Sequence, residues 1–259
     1  MMSAALMQSQ ETTTPMTETL DLPQPPPEFS AILQDARLEG MVDAPPHLPR
    51  ARRILQPANP PRAGESAYLL FRQYNTESFG KVDWLNKPPG MNFVMSTGKG
   101  QGFPLITEQP KFRERKKKPA RRVDAWVYSS WLIVSPAFAE IMRSFDAGVI
   151  ETLPIDWEFS DGTKLDGYVF LDVKRRLYAY DYARSEVWVE IQEGRKFVAG
   201  LGHPRALKPE IDPSFHIFRD AFHRPDIFMS RALARALSEA GMHGIRFEDP
   251  ASIDTVEFK

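Results

Sequence analysis

The stretch that decides the fold runs from Asp226 to Asp249 and reads DIFMSRALARALSEAGMHGIRFED. A similar stretch, WLIVSPAFAEIMRSFDAGVIETLPIDW, runs from Trp131 to Trp157. When the two are aligned on Ser135 and Ser230, apolar residues follow each serine three, six, seven and ten positions later. That spacing marks one face of an α-helix. Each stretch is therefore predicted to form a strand, a serine, an amphipathic helix and a second strand.

The residues at the helix ends indicate how each predicted helix starts and stops. Ser135 and Ser230 stand where an N-cap hydroxyl would accept a hydrogen bond from a free amide of the first turn. Pro136 occupies the first helical position, where its missing N–H costs nothing. Gly241 follows the second helix, where a left-handed residue would end it. The two serines are predicted to be helix caps rather than nucleophiles.

Composition excludes several classes of protein. Hydrophobic residues make up 42% of the 259 residues and aromatics 11%, which is enough to build a packed core. The chain has no cysteine, so disulfides, thiolate catalysis and cysteine-bound zinc are excluded. No apolar run approaches the ~20 residues of a membrane span, and the first residues do not have the pattern of a secretory signal. We predict a cytoplasmic protein without a membrane partner.

Charge is unevenly distributed along the chain. The segment KFRERKKKPARR, residues 111–122, carries eight basic residues and one acidic residue, a local charge of +7. Because the net charge is −1, the rest of the chain carries −8. Residues 151–193 hold ten acidic and five basic residues. Net charge bears on partners and solubility rather than on fold.

These patterns predict a domain organisation. Eleven of the 23 prolines lie in residues 1–65, which predicts a largely extended proline-rich tail with one short helix near Ala31–Glu39. A ligand for a proline-recognition domain is the sharper alternative for this tail. Residues 66–259 are predicted to form a single α+β domain in which two helices pack on one curved, mostly antiparallel sheet. The basic segment 111–122 is predicted to be a solvated linker within it.

The residues between the two similar stretches have the composition of β-strands. Aromatic and β-branched residues favour strands at 168–173, 177–182 and 186–191. The dipeptide Asp161-Gly162 predicts a hairpin turn between strands at 157–159 and 167–172. Residues 215–223 are predicted to form a short helix or strand.

A search for reactive groups finds no catalytic constellation. The five histidines form neither HExxH nor an i,i+4 pair, so no metal site is predicted. The glycine-rich segment 97–102 lacks the order of a phosphate loop, and no cofactor is predicted. One enzymatic alternative stays open, a site of unfamiliar type built from His216, Asp220 and His223. A second alternative is a nucleic-acid-associated regulator that uses the basic segment 111–122.

Several short motifs carry a resemblance to a known family. In chain order they are AYLLF (67–71), Asp124 followed by LIVSPAFA (132–139), a strand ending near Pro154, YVFLDV (168–173), YDYARSE (180–186), IFR (217–219), IFMS (227–230) and GIRF (244–247). This pattern resembles the Imm11 or DUF1629 family, immunity proteins of bacterial polymorphic toxin systems. The resemblance covers residue 67 to the C-terminus, and Asp181 and Ser185 match polar positions characteristic of the family. It implies no catalytic role for either residue.

The resemblance implies a non-enzymatic protein that binds and blocks a cognate toxin, often an effector of a contact-dependent or type VI secretion system. Many toxins that act on anionic substrates carry basic clefts, so the acidic segment is a candidate partner surface. Two groups of interface residues are predicted: Trp157, Glu158, Asp161 and Asp166 near the hairpin, and Phe218, Arg219, Asp220, His223 and Arg224 in an aromatic and arginine cluster. The residues predict no particular oligomeric state.

Overall fold

A computed structural model describes residues 25–73, 82–89, 102–103, 106–115, 117, 123–129, 131–222 and 226–258. These residues form three α-helices: α1 (Glu28–Leu33), α2 (Pro136–Asp146) and α3 (Arg231–Glu239). Short 3-10 helices occur at Ala36–Leu38, Ala147–Val149 and Tyr182–Arg184. The strands are β1 (Arg52–Leu55), β2 (Tyr68–Gln73), β3 (Val82–Trp84), β4 (Lys111–Glu114), β5 (Ala125–Tyr128), β6 (Trp131–Val134), β7 (Ile150–Pro154), β8 (Asp156–Glu158), β9 (Val169–Val173), β10 (Arg176–Leu177), β11 (Tyr180–Asp181), β12 (Val187–Gln192), β13 (Arg195–Leu201), β14 (Ala206–Leu207), β15 (Ile217–Asp220), β16 (Ile227–Ser230) and β17 (Ile245–Glu248).

The strands form several sheets rather than the one curved sheet that the sequence predicts. Two large sheets have the orders β5-β6-β9-β7 and β10-β15-β16-β2-β17. Smaller sheets have the orders β1-β12-β13, β3-β4-β8 and β11-β14. Neighbouring strands run antiparallel except in the β10–β15 and β4–β8 pairs. Strand residues make up 35% and helical residues 17%, which confirms an α+β protein built mainly from antiparallel sheet.

The two large sheets share an order of elements. In one, the antiparallel pair β5–β6 leads through α2 to β7, with β9 placed between β6 and β7. In the other, the antiparallel pair β15–β16 leads through α3 to β17, with β2 between β16 and β17. The strand inserted in the first sheet, β9, comes after β7 in the sequence. The strand inserted in the second sheet, β2, comes before β15.

The central strands of the large sheets are buried on both faces. In β2, Leu69 and Phe71 pack in a central cluster shared with α2 and α3, whereas Tyr68 and Leu70 face a second cluster. The alternation follows from the two-residue period of a strand. The second cluster lies against the β1-β12-β13 sheet and α1 through Val187, Val189, Val198, Leu201, Leu55 and Phe29. A third cluster joins the other face of β6 to the β3-β4-β8 sheet through Trp131, Ile133, Phe112 and Trp157.

Both long helices begin at a serine. The Ser135 hydroxyl accepts a hydrogen bond from the Phe138 amide at 3.3 Å, and the Ser230 hydroxyl accepts one from the Leu233 amide at 3.2 Å. After α3, Gly241 has φ +66°, and the Met242 amide donates to the Leu237 carbonyl. This is the left-handed helix stop that glycine favours.

The N-terminal region differs from the predicted tail. Among residues 25–65, Phe29, Leu38 and Leu55 are buried in the second cluster, and β1 pairs with β12. In this range the chain packs on the domain and adds one strand to a sheet, and α1 with the 3-10 helix Ala36–Leu38 overlaps the short helix predicted near Ala31–Glu39. Prolines shorten the elements here, but the apolar residues between them reach the core.

Two further local predictions need correction. Residues 111–114 form β4 and Phe112 is 2% exposed, so the segment 111–122 does not begin as a linker. Its residues 116 and 118–122 lie outside the described part of the chain. The hairpin predicted around Asp161-Gly162 is only a local turn with a bridge between Glu158 and Lys164. The two flanking strands do not pair with each other, because β8 pairs with β4 and β9 pairs with β6 and β7.

Within the described ranges, no helix combines the length and apolar character needed to cross a membrane.

Candidate functional site

The first predicted interface group lies around β8, at the edge of its three-stranded sheet. Trp157 is 1% exposed and packs against Trp126 and Phe112, so it belongs to the core and is not available to a partner. Asp161 and Asp166 are exposed. The Asp161 carboxylate accepts a hydrogen bond from the Thr163 amide at 3.0 Å, which shapes the turn.

Three carboxylates of this group remain at the surface: half-buried Glu158, Asp161 and Asp166. We call residues 158–166 the acidic loop. It is a part of the predicted acidic region that the structure leaves open to a partner, and Glu193, at the turn between β12 and β13, is also exposed.

Much of the remaining acidic region is neutralised within the chain. Glu190 binds Arg52 at 2.6 Å, Asp172 binds Arg219 at 3.0 Å, and Asp156 binds Lys164 at 3.2 Å. Glu151 lies 3.7 Å from the Lys174 ammonium. The formal charge of −5 over residues 151–193 therefore does not produce one continuous acidic surface.

The second predicted interface group is mostly in the core. Phe218, Arg219 and Asp220 are 0%, 2% and 7% exposed. Phe218 stacks on Phe228 with ring centres 5.2 Å apart. These three side chains are not available to a partner, because β15 lies inside a sheet that is covered on both faces.

His223 and Arg224, the other members of that group, lie outside the described residues. The enzymatic alternative used His223 together with His216 and Asp220. His216 Nδ1 lies 2.9 Å from the Ser230 hydroxyl and supports that helix cap. Asp220 accepts hydrogen bonds from the amides of Ala179 and Phe222.

Neither His216 nor Asp220 lines a described cavity. The described residues also contain no cluster of three or more histidine, aspartate or glutamate side chains that would hold a metal ion. Both residues have hydrogen-bond partners within the fold, and the third member of the alternative, His223, lies outside the described residues.

A buried ionic network that the sequence did not predict surrounds Asp226. This carboxylate is 4% exposed and binds Arg72 at 2.8 Å and Arg205 at 3.0 Å. Tyr180 donates its hydroxyl proton to the same carboxylate. Burial, followed by the Asp226 charge, raises the pKa of Tyr180 well above its ordinary value, so the phenol keeps its proton.

The Asp226 network joins segments far apart in sequence, and its groups satisfy one another. Arg72 also binds Glu248 at 3.0 Å. Such a network specifies which segments pack together. The sequence did not predict this network, because no local pattern links Arg72 on β2 to Asp226.

Asp181 and Ser185 shape the turn between β11 and β12. Asp181 accepts hydrogen bonds from the amides of Ala183 and Arg184, at 3.1 and 3.3 Å, and so caps the 3-10 helix. The Ser185 hydroxyl donates to the Asp181 carbonyl at 2.7 Å and accepts from the Ala206 amide at 2.9 Å. Together they fix where Arg184 leaves the backbone.

Arg184 lines a cleft of about 410 Å³. Its wall includes Tyr68, Leu207, Ile211, Pro61, Pro209 and Pro213. Arg184 binds Glu65 at 2.6 Å, and hydrogen bonds from Arg184 and from the Arg62 amide lower the pKa of Glu65 to about 2. Lys208 in the same wall binds Glu28. Because these cations already have internal counter-ions, the cleft is not built to hold an anion.

A model of a family described as Immunity protein family (Imm11) matches residues 50–252, which is most of the chain. The matched range contains every strand and both long helices. It also begins just before β1, within the region that the sequence predicts as a tail. No curated protein matches the chain.

Proposed function

This chain belongs to the Imm11 immunity protein family, and on that premise we propose that it neutralises a cognate bacterial toxin by binding it directly. The family match is the observation that carries the proposal. The toxin would be a secreted effector, delivered by a contact-dependent or type VI system, and the protein would meet it in the cytoplasm.

The polar groups support binding rather than catalysis. Asp181 and Ser185 cap and brace a turn, Asp226 closes an ionic network, and His216 supports a helix cap. Each has a structural partner that accounts for its position. We therefore infer a non-enzymatic inhibitor, which blocks its toxin by contact.

The acidic loop is the first contact that we propose. Glu158 ends the edge strand β8, and Asp161 and Asp166 lie exposed in the loop that follows it. A toxin that acts on an anionic substrate presents basic residues around its cleft, and carboxylates at the rim of an interface speed encounter and select the partner. Trp157 contributes by holding the base of this loop in the core.

The test is co-expression with the toxin encoded beside this gene. We expect cells that produce both proteins to survive induction and an affinity-tagged chain to retain the toxin through size-exclusion chromatography. An unrelated immunity protein of similar size is the control and should neither rescue nor co-purify. Rescue without any complex would refute direct binding, because survival would then come from another mechanism.

A further inference from the structure

The outward face of the β1-β12-β13 sheet carries exposed apolar and arginine side chains. Val187 and Val189 of β12 point into the second cluster, so Trp188 between them points outward. Ile54 of β1 lies opposite Trp188 and is 53% exposed. Phe197 of β13 lies opposite Glu190 on the same outward face. We call this surface, formed by Arg50, Arg52, Ile54, Trp188 and Phe197, the Trp188 face.

Two arginines are stacked on the aromatic rings of the Trp188 face. The Arg52 guanidinium carbon lies 4.8 Å from the centre of the Trp188 ring, and that of Arg50 lies 5.7 Å from the centre of Phe197. Both distances are within the range of a cation–π contact. The arginine side chains remain 46% and 53% exposed.

One carboxylate holds both arginines in place. Glu190 Oε1 accepts hydrogen bonds from Arg52 at 2.6 and 2.9 Å, and its Oε2 lies 3.7 Å from Arg50. Glu190 itself is 8% exposed, so the carboxylate is covered by the cations that it binds. Holding long side chains in one orientation before binding reduces the entropy that an interface must otherwise lose.

The indole of Trp188 is also fixed. Its Nε1 donates to the Glu186 carboxylate at 2.7 Å. Gly202 lies beneath both groups, since a Cβ at that position would stand 2.7 Å from Trp188 Nε1 and 1.7 Å from Glu186 Oε1. A glycine is therefore needed for the indole and Glu186 to lie across β13.

Packing of the indole on its own sheet would account for the position of Trp188 alone. It does not explain why Ile54 stays exposed beside it, or why two arginines are held over the rings while still open to solvent. Aromatic residues and arginine are enriched at the energetic centres of protein interfaces. Position at the sheet edge adds accessibility, because β1 pairs only with β12 in its sheet.

Charge indicates what this surface fits. The two guanidinium groups over the rings share the covered Glu190 carboxylate and are 46% and 53% exposed, whereas the half-buried Glu186 carboxylate is bound to the indole N–H. The apolar centre therefore has two accessible arginines beside it. We propose that the Trp188 face anchors the cognate toxin, at a toxin surface where a carboxylate that can meet Arg50 and Arg52 lies beside an exposed apolar side chain. This inference rests on the proposed function and names a second contact, on a different sheet from the acidic loop.

The test measures binding of the purified full-length chain to an inactivated form of the neighbouring toxin. Ile54→Asp and Arg52→Gln change exposed side chains, and circular dichroism checks that both variants fold. We expect each to weaken binding at least about tenfold, mainly through faster dissociation, as for residues at the centre of an interface. Ile253→Asp is the matched control, because Ile253 is equally exposed at 51% but lies outside this sheet, and its affinity should stay within about twofold.

Three other results would overturn the inference. Wild-type affinity in both Trp188-face variants would exclude this face while leaving the proposed function intact. Unchanged toxin binding with lost self-association in sedimentation analysis would assign the face to a second copy of the chain. Unchanged toxin binding with lost binding of a single-stranded oligonucleotide would assign it to nucleic acid. Absence of toxin binding by the wild type would instead overturn the proposed function itself.

Discussion

Arg219 of β15 and Asp172 of β9 form an ion pair that joins the two large sheets. Their closest nitrogen and oxygen atoms are 3.0 Å apart, and the side chains are 2% and 0% exposed. Asp172 also accepts a hydrogen bond from the Gly102 amide at 2.8 Å. Burial lowers the pKa of Arg219, and the charge of Asp172 opposes that effect. A guanidinium does not lose its proton in a protein, so the two buried charges compensate each other.

Replacing Arg219 with methionine should strongly destabilise the protein. The substitution keeps an unbranched side chain but leaves the Asp172 carboxylate buried without its cation. Loss of one partner from a buried pair costs about 3–5 kcal/mol, which urea unfolding would measure as a lower free energy of unfolding.

Arg115→Met is the matched control for this prediction. Arg115 and Asp83 are also 3.0 Å apart, but their side chains are 62% and 46% exposed. Its urea midpoint should match that of the wild type because exposed pairs contribute little. Equal effects of the two substitutions would contradict the role assigned to burial.

The serine caps predict a second pair of stability changes. Ser135→Ala and Ser230→Ala each remove the acceptor for a first-turn amide, and loss of such a cap costs about 1 kcal/mol. Each serine has a second partner: Ser135 donates to the Asp124 carboxylate at 2.7 Å, and the Ser230 hydroxyl lies 2.9 Å from His216 Nδ1. Replacing Ser135 should cost more, because Asp124 is 1% exposed whereas His216 is half-buried. Thermal unfolding would show both effects. Ser144→Ala, at an exposed position within α2, should leave the melting temperature almost unchanged.

Local features of the fold were readable from the sequence because they depend on neighbouring residues. A capping serine and the apolar helical spacing that follows it mark both long helices, and Gly241 marks the end of α3. The aromatic and β-branched composition that predicts β2, β9 and β12 is likewise a property of neighbouring residues. What the sequence did not reveal is which strands become neighbours, as in the placement of β9 between β6 and β7.

Burial of the candidate site residues was the part that local reasoning could not decide. Phe218 and Arg219 have the composition of an interface centre, and the same residues suit a core that contains one buried ion pair. Their burial depends on Tyr68 of β2, which packs on Phe218, and on Asp172 of β9, which pairs with Arg219, and both are distant in sequence. Leu38 shows the opposite error, because it lies among prolines and is nevertheless 0% exposed.

Glycine at position 244 predicts a sharp difference between two alanine substitutions. Gly244 has φ +86°, and a Cβ there would lie 2.7 Å from Val123 Cγ1 and 3.4 Å from the Ala125 carbonyl oxygen. Gly244→Ala should cost at least about 1–2 kcal/mol from the left-handed backbone alone. Gly148→Ala meets nothing within 4 Å and should be neutral or slightly stabilising. Denaturant unfolding of both variants would test this, and equal stability would contradict it.

His203 predicts a pH dependence of stability. Burial and the neighbouring Arg205 charge lower the pKa of His203 below its ordinary value of 6.5. The unfolded chain therefore binds this proton more readily, so the contribution of His203 is fully present above about pH 6.5 and is lost as pH falls through the folded pKa. Between pH 7.5 and 5.5, the wild type should lose more unfolding free energy than His203→Gln.

His47→Gln serves as the control for that measurement, because His47 is exposed. Its loss of stability over the same range should follow the wild type. Asp35 and Glu65, whose pKa values are lowered to about 2, act in a separate window below about pH 4. A His203→Gln profile parallel to that of the wild type would refute the prediction.

The acidic loop predicts a change in association kinetics. Asp161→Lys combined with Asp166→Lys reverses two exposed charges without touching the core. If the loop faces a basic toxin surface, the association rate at low salt should fall about threefold to tenfold, and its dependence on ionic strength should weaken. Glu239→Lys with Asp254→Lys makes the same change in net charge at other exposed positions and separates a local effect from a global one. Equal association rates in the two double variants would remove the acidic loop from the interface, because net charge alone would then account for any slowing.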